Sequence, residues 1–189
     1  MNLDKNKTLQ QIEEFARNAH SGQMRKYSDE EYIIHPIRVM KICQLYTHDI
    51  AILSTALLHD VLEDTKVTSA ELEQFLSGIF SNQEAQKILQ LTQDLTDVFI
   101  KENYPNLNRK QRKAKEWDRM ESIHYDAQTV KYADIIDNSQ EILVYDPNFA
   151  RVYLKECLKG LQNMKKGNSE LYQLAFETVQ AGMKKLHIR

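Results

Sequence analysis

Apolar residues recur at three- and four-residue spacing along most of the chain, a pattern that predicts a succession of helices. Ile12, Phe15, Ala16 and Ala19 mark a first helix from about Asp4 to His20. The pattern lapses from Ser21 to Glu31, which is rich in Gly, Arg, Lys and acids and reads as a loop. Pro36 suits the first position of a second helix, where its missing N–H would have no partner anyway; Val39, Met40, Ile42 and Cys43 continue it. A third helix is expected from about Asp49 to Asp64. It is apolar nearly all round, from Ile50, Ile52 and Leu53 through Ala56, Leu57 and Leu58 to Val61 and Leu62, which predicts a buried central helix.

Thr68 and Glu71 have the spacing of a capping box and start a fourth helix. Ala85, Ile88, Leu89, Thr92 and Leu95 mark a fifth. Thr96 to Asn108 is the longest irregular stretch, followed by Arg109 to Arg119, dense in Lys and Arg. That run reads most simply as a solvated helix face; a lid carrying cations to a substrate is the sharper alternative. Helical pattern resumes from about Asp126 to Glu141. Two amphipathic helices close the chain, one with Phe149, Val152, Cys157 and Leu161, the other with Leu171, Leu174, Val179 and Met183. No internal repeat or alternating strand is present. The expectation is an all-α fold in a single domain over residues 1–189, with a core at about 5–145. The helices at about 148–187 would pack on that core or form a homodimer.

Composition supports helices, because 189 residues include only five Gly and three Pro, little material for hairpin turns. The formal net charge of -2 provides no global field for nucleic acid. The N-terminus lacks the apolar run of a signal peptide, and no apolar stretch approaches the roughly 20 residues that span a bilayer. A cytoplasmic protein with no membrane or nucleic-acid partner is expected. Cys43 and Cys157 lie far apart in apolar helical patterns and are expected to be buried free thiols.

The chemistry concentrates in three segments, Tyr32–Pro36 (YIIHP), Ala56–Thr65 (ALLHDVLEDT) and Val130–Asn138 (VKYADIIDN). On a continuous helix His59 and Glu63 are four apart, as are Asp60 and Asp64, so all four project from one surface. Burying such groups is costly unless they have partners, and carboxylates near a helix C-terminus oppose its dipole. A divalent cation would relieve both problems. Taken singly, His59 could be a core histidine bonded to a carbonyl and Asp60 half of an ion pair. Those readings weaken beside His35, just before a helix start, and Asp134, in an otherwise apolar helix. Two imidazoles and two carboxylates suit Mn²⁺, Fe²⁺ or Zn²⁺. His20 divides evenly between packing and support of the Arg25–Lys26 loop, and Tyr27, Tyr32 and Tyr132 are not separable into packed and pocket residues.

Residues Ala16 to Lys26 (AxxxHxGQxRK), followed by YIxHP, LLHDxxEDT and VKxAD with Asn138, resemble the HD superfamily of metal-dependent phosphohydrolases. The likeness is greatest to the hydrolase domain of RelA/SpoT proteins and their Mesh-type stand-alone relatives. The resemblance implies an HD-domain helical bundle with one divalent metal, Mn²⁺ foremost with Fe²⁺ or Zn²⁺ as alternatives, on His35, His59, Asp60 and Asp134. It gives Glu63 and Asp64 the attacking water, and it assigns a small nucleotide substrate to Arg25, Lys26 and Asn138. The implied reaction is removal of the 3′-pyrophosphate of (p)ppGpp. Beyond Asp134 the chain departs from that pattern. Ile135 stands where a basic residue is usual, Asp137 for an aromatic or His, and Gln140 for Arg. Another nucleotide or small phosphoester is therefore the alternative substrate, and a non-catalytic nucleotide-binding HD module is the reading from a different class.

Overall fold

The computed structural model describes residues 4–188, which fall into two compact units, one ending at Thr96 and the other beginning at Asp97. Among the described residues every regular element is a helix. The only β-type pairing there is an isolated bridge between Met24 and Glu31.

The first unit holds α1 (Lys5–Ala19), α2 (Ile34–Gln44), α3 (Ile50–Leu58), α4 (Val61–Asp64), α5 (Ser69–Ser77) and α6 (Asn82–Leu95). Asp4 caps α1 by accepting from the amides of Asn6 and Lys7. Thr68 and Glu71 form the predicted capping box of α5. Helix α3 is buried from Ala51 to Leu58 and is packed by α1, α2 and α6, so the all-apolar segment is the unit's central helix.

That helix is not continuous to Asp64 as its sequence suggested. It ends at Leu58, His59 and Asp60 form a turn, and Val61–Asp64 makes a separate short helix. No Gly or Pro marks the break, and Val61 stays buried on the far side, so the apolar pattern runs through it unchanged. Helix α2 likewise begins two residues before Pro36. Proline is tolerated throughout the first turn, where amides have no intrahelical acceptor.

The second unit holds α7 (Arg109–Met120), α8 (Tyr125–Tyr145), α9 (Pro147–Asn163) and α10 (Ser169–Lys185). Helix α8 packs on α9 and α10, and α7 packs on α9. The irregular stretch before α7 is tied down by the buried Glu116, whose carboxylate accepts from the amides of Val98 and Phe99, both at 3.0 Å. Tyr132 of α8 is fully buried; its hydroxyl donates to the Met164 carbonyl at 2.9 Å and accepts from the Gly167 amide at 3.3 Å. Cys43 and Cys157 are buried free thiols, as expected, and burial pushes each thiol up to about 12. No helix among the described residues is long and apolar enough to cross a membrane.

Candidate metal centre

Three of the sequence-predicted ligands come together in the first unit. His35 lies in the first turn of α2, while His59 and Asp60 occupy the turn between α3 and α4. The two imidazoles are 1% and 3% exposed and meet edge to face, 5.2 Å between centroids. Asp60 Oδ2 lies 3.1 Å from His59 Nε2 and 3.7 Å from His35 Nε2. The two residues keep right-handed helical torsions at the point where the helix is interrupted, and His35 reaches them from α2.

The tautomer of His59 tests whether these residues fit a metal. Its Nδ1 lies 2.8 Å from the Ala56 carbonyl, an acceptor only, so Nδ1 carries the proton. The neutral ring then has its lone pair on Nε2, beside the Asp60 carboxylate. Two electron-rich atoms at 3.1 Å repel unless a proton or cation is shared between them. Two imidazole nitrogens and a carboxylate oxygen, with one ring held through its second nitrogen, are a donor set for a first-row divalent ion. The residues fit.

The water-handling acids predicted beside them are placed differently from each other. Tyr32, just before α2, points its hydroxyl at both Asp60 Oδ2 (2.8 Å) and Asp64 Oδ2 (2.7 Å). Desolvation and then the Asp60 charge hold the Asp64 carboxyl above the usual carboxylate range, against the opposing bond from Tyr32. Glu63 faces outward on α4 and, with Asp64, lines a cavity of about 670 Å³ that also touches Gln23 and Lys66.

The loop after α1 reaches the same place. Gly22 adopts φ +79°, a left-handed conformation that favours glycine, and the chain then turns back towards Tyr32. Gln23 donates to the Asp64 carbonyl at 2.7 Å, and its Oε1 pairs with His20 Nδ1 at 2.8 Å. Arg25 sits over the Tyr32 ring at 5.5 Å, and Lys26 donates to the Tyr27 hydroxyl at 2.9 Å. His20 is buried and also bonds this loop through Gln23, so both of its readings hold. His20, Gln23 and Tyr32 are fixed letters of the AxxxHxGQxRK and YIxHP segments, but their coupling to one another depends on how the loop folds back.

Asp134 lies on α8 in the second unit and is 5% exposed. It accepts from Lys131 Nζ at 2.7 Å and Asn138 Nδ2 at 2.5 Å. Tyr153 of α9 is half-buried, with its side chain beside Asn138, Cys157 and Asp134. Of the positions that depart from the RelA/SpoT pattern, Ile135 and Asp137 are buried and Gln140 is exposed.

Residues 13–138 match the HD domain family. A guanosine-3′,5′-bis(diphosphate) 3′-pyrophosphohydrolase of Spiroplasma citri is 34% identical over 158 residues, covering 81% of this chain and 19% of that protein. A protein of the same name in Vibrio cholerae is 48% identical over 65 residues, 34% of this chain and 9% of its own length. The chain therefore spans only a small part of the curated relatives it matches. Among solved structures, a metazoan SpoT ortholog described as hydrolysing ppGpp matches with a TM-score of 0.76 at 22% identity, covering 98% of this chain and 97% of that one. A Listeria monocytogenes protein matches with a TM-score of 0.58 at 20% identity, covering 84% and 99%. Both share the all-helical fold. The matched span includes His35, His59, Asp60 and Asp134, and the chain belongs to the HD domain family.

Proposed function

We propose that this protein is a metal-dependent phosphohydrolase that removes the 3′-pyrophosphate of (p)ppGpp. The observation that carries the proposal is the convergence of His35, His59 and Asp60 in a chain whose family match extends through Asp134. The names of the Spiroplasma and Vibrio relatives support the choice of substrate. We assign one divalent metal, Mn²⁺ foremost, to His35, His59, Asp60 and Asp134. The family match runs across both compact units, which supports reading the chain as one domain, and we place it in the cytoplasm.

When bound, the ion would polarise a phosphoryl oxygen and lower the pKa of water. The protein's own residues divide the remaining work. Asp64, held by Tyr32 and biased towards keeping its proton, is suited to passing a proton to or from the reacting water. Glu63, on the same cavity, is the second acid in that role. Arg25 and Lys26 supply cations for the substrate's phosphates, where charge spreads as the bond to phosphorus breaks. Asn138, whose amide donates to Asp134, is assigned to the sugar or its phosphate.

A second reading, hydrolysis of another nucleotide or small phosphoester, is favoured by the loss of cations at Ile135 and Gln140. An activity panel with Mn²⁺ separates the two. Pyrophosphate release from ppGpp, absent with generic phosphomonoesters and abolished by Asp60→Ala, is the expected result. Turnover of other nucleotides but not ppGpp would move the assignment to the second reading. Equal turnover by wild type and Asp60→Ala would overturn the metal centre itself.

A further inference from the structure

Helices α7 and α9 enclose a groove of about 460 Å³ within the second unit, a volume in the range of small-molecule sites. Its floor is apolar, formed by Trp117 and Ala114 of α7 and Val152 of α9, and Val152 is 47% exposed. Trp117 can lie close to α9 because Gly160 has no side chain; a Cβ there would fall 2.1 Å from the indole.

The walls are cationic from both sides. Arg151, Lys155 and Lys159 follow one another at four-residue spacing on α9, and Lys110 faces the groove from α7. Like charges at that spacing repel. Among the described residues Lys110, Lys155 and Lys159 have no ion-pair partner. The groove's one acid, Glu156, is already held by both terminal nitrogens of Arg109, at 2.7 and 3.1 Å. On the α9 helix this wall faces away from Tyr153 and Cys157, the side that meets Asp134. The predicted alternatives for the basic run, a solvated face or a lid, both omit the apolar floor, which needs α9 to complete it.

We propose that the α7–α9 groove is a second binding site for a nucleoside polyphosphate, its ring on the Trp117 floor and its phosphates among Lys110, Lys155 and Lys159. An indole face with cations beside it matches an aromatic ring joined to several negative charges. The limited volume favours a small molecule over a peptide helix. The proposal depends only on the second unit and stands whether or not the hydrolase reading is correct.

Trp117 is the only tryptophan in the chain, so its fluorescence reports this groove alone. Titrating the metal-free full chain with GTP in EDTA is expected to quench that signal saturably, with binding weakened by added salt. Guanosine, lacking phosphates, is expected to bind far more weakly. Lys155→Ala with Lys159→Ala should weaken GTP binding roughly tenfold or more, while Asp60→Ala leaves it intact. Both lysines are exposed, and an unchanged melting temperature would show that the double variant is folded. No saturable change up to millimolar GTP would overturn the site. So would equal quenching by guanosine, or a signal lost in Asp60→Ala yet retained in the lysine variant.

Discussion

His20 lies nearly flat against the ring of Tyr32, with centroids 4.7 Å apart and planes inclined by 24°. The stack fixes a tyrosine whose hydroxyl has one proton and two carboxylates, Asp60 and Asp64, within bonding distance. Tyr32→Phe keeps the ring and removes only this link. Outer-sphere partners of metal ligands are commonly worth about 10–100-fold in affinity or activity, and a loss of that size in kcat/KM is expected. His20→Phe preserves a stacking surface and should retain more activity than His20→Ala. Calorimetric titration with Mn²⁺ and steady-state kinetics would check both; wild-type behaviour of Tyr32→Phe would remove the hydroxyl from the mechanism.

The loop bearing Arg25 and Lys26 turns on Gly22, whose φ of +79° is open to glycine at little cost. No atom crowds a Cβ there, so an alanine would be opposed by backbone strain alone, about 1–2 kcal/mol. Gly22→Ala is expected to raise KM more than it lowers kcat, because it displaces Arg25 and Lys26, the proposed cations for the substrate, and leaves His35, His59 and Asp60 in place. A fall in kcat at constant KM would contradict that division.

Asp64 should leave a signature in the pH dependence of stability. In the metal-free protein its carboxyl is held above the ordinary range, so the folded state keeps a proton that the unfolded chain has released. The resulting stabilisation is complete below the unfolded value, roughly pH 3.9, and is lost as pH rises through the higher folded value. Asp64→Asn removes that decline. Urea melts in EDTA between about pH 4 and neutrality should show stability falling less steeply with pH in the variant than in wild type; parallel curves would count against the assignment.

Gly167 supports the second unit by its lack of a side chain. A Cβ there would stand 2.7 Å from the Tyr132 ring and 2.8 Å from the Thr129 amide nitrogen. The ring is fully buried, and the amide belongs to α8. Overpacking of this kind costs about 1–3 kcal/mol, and in a chain of this size each kcal/mol is worth roughly 2–4 °C. Gly167→Ala should therefore lower the melting temperature by several degrees, measurable by calorimetry, and an unchanged midpoint would show that the contact relaxes freely.

Much of the fold could be read from spacing. Asp4, Thr68 and the apolar faces of α1, α5 and α6 all behave as their local patterns dictate. The break after Leu58 could not be read, because Val61 is as apolar and as buried as a continuous helix would require. His35, His59 and Asp60 were identifiable by residue type and order. Their meeting was not, since it depends on how α2 packs beside the end of α3. Tyr32, Gln23 and His20 stood out as motif letters, but their contacts did not, because a stack and a side-chain-to-carbonyl bond leave no periodic trace.

The turn at His59–Asp60 also constrains how such a chain can diverge. Adding or deleting one residue between Ala56 and Val61 would swing both side chains away together and separate His59 from the carbonyl that sets its tautomer. This stretch can vary in composition but hardly in length. The exposed segment around Asp29 and Glu30 has no comparable geometric lock on the proposed metal ligands. Descendants of this sequence should therefore accumulate insertions there before the spacing of the His59–Asp60 turn changes.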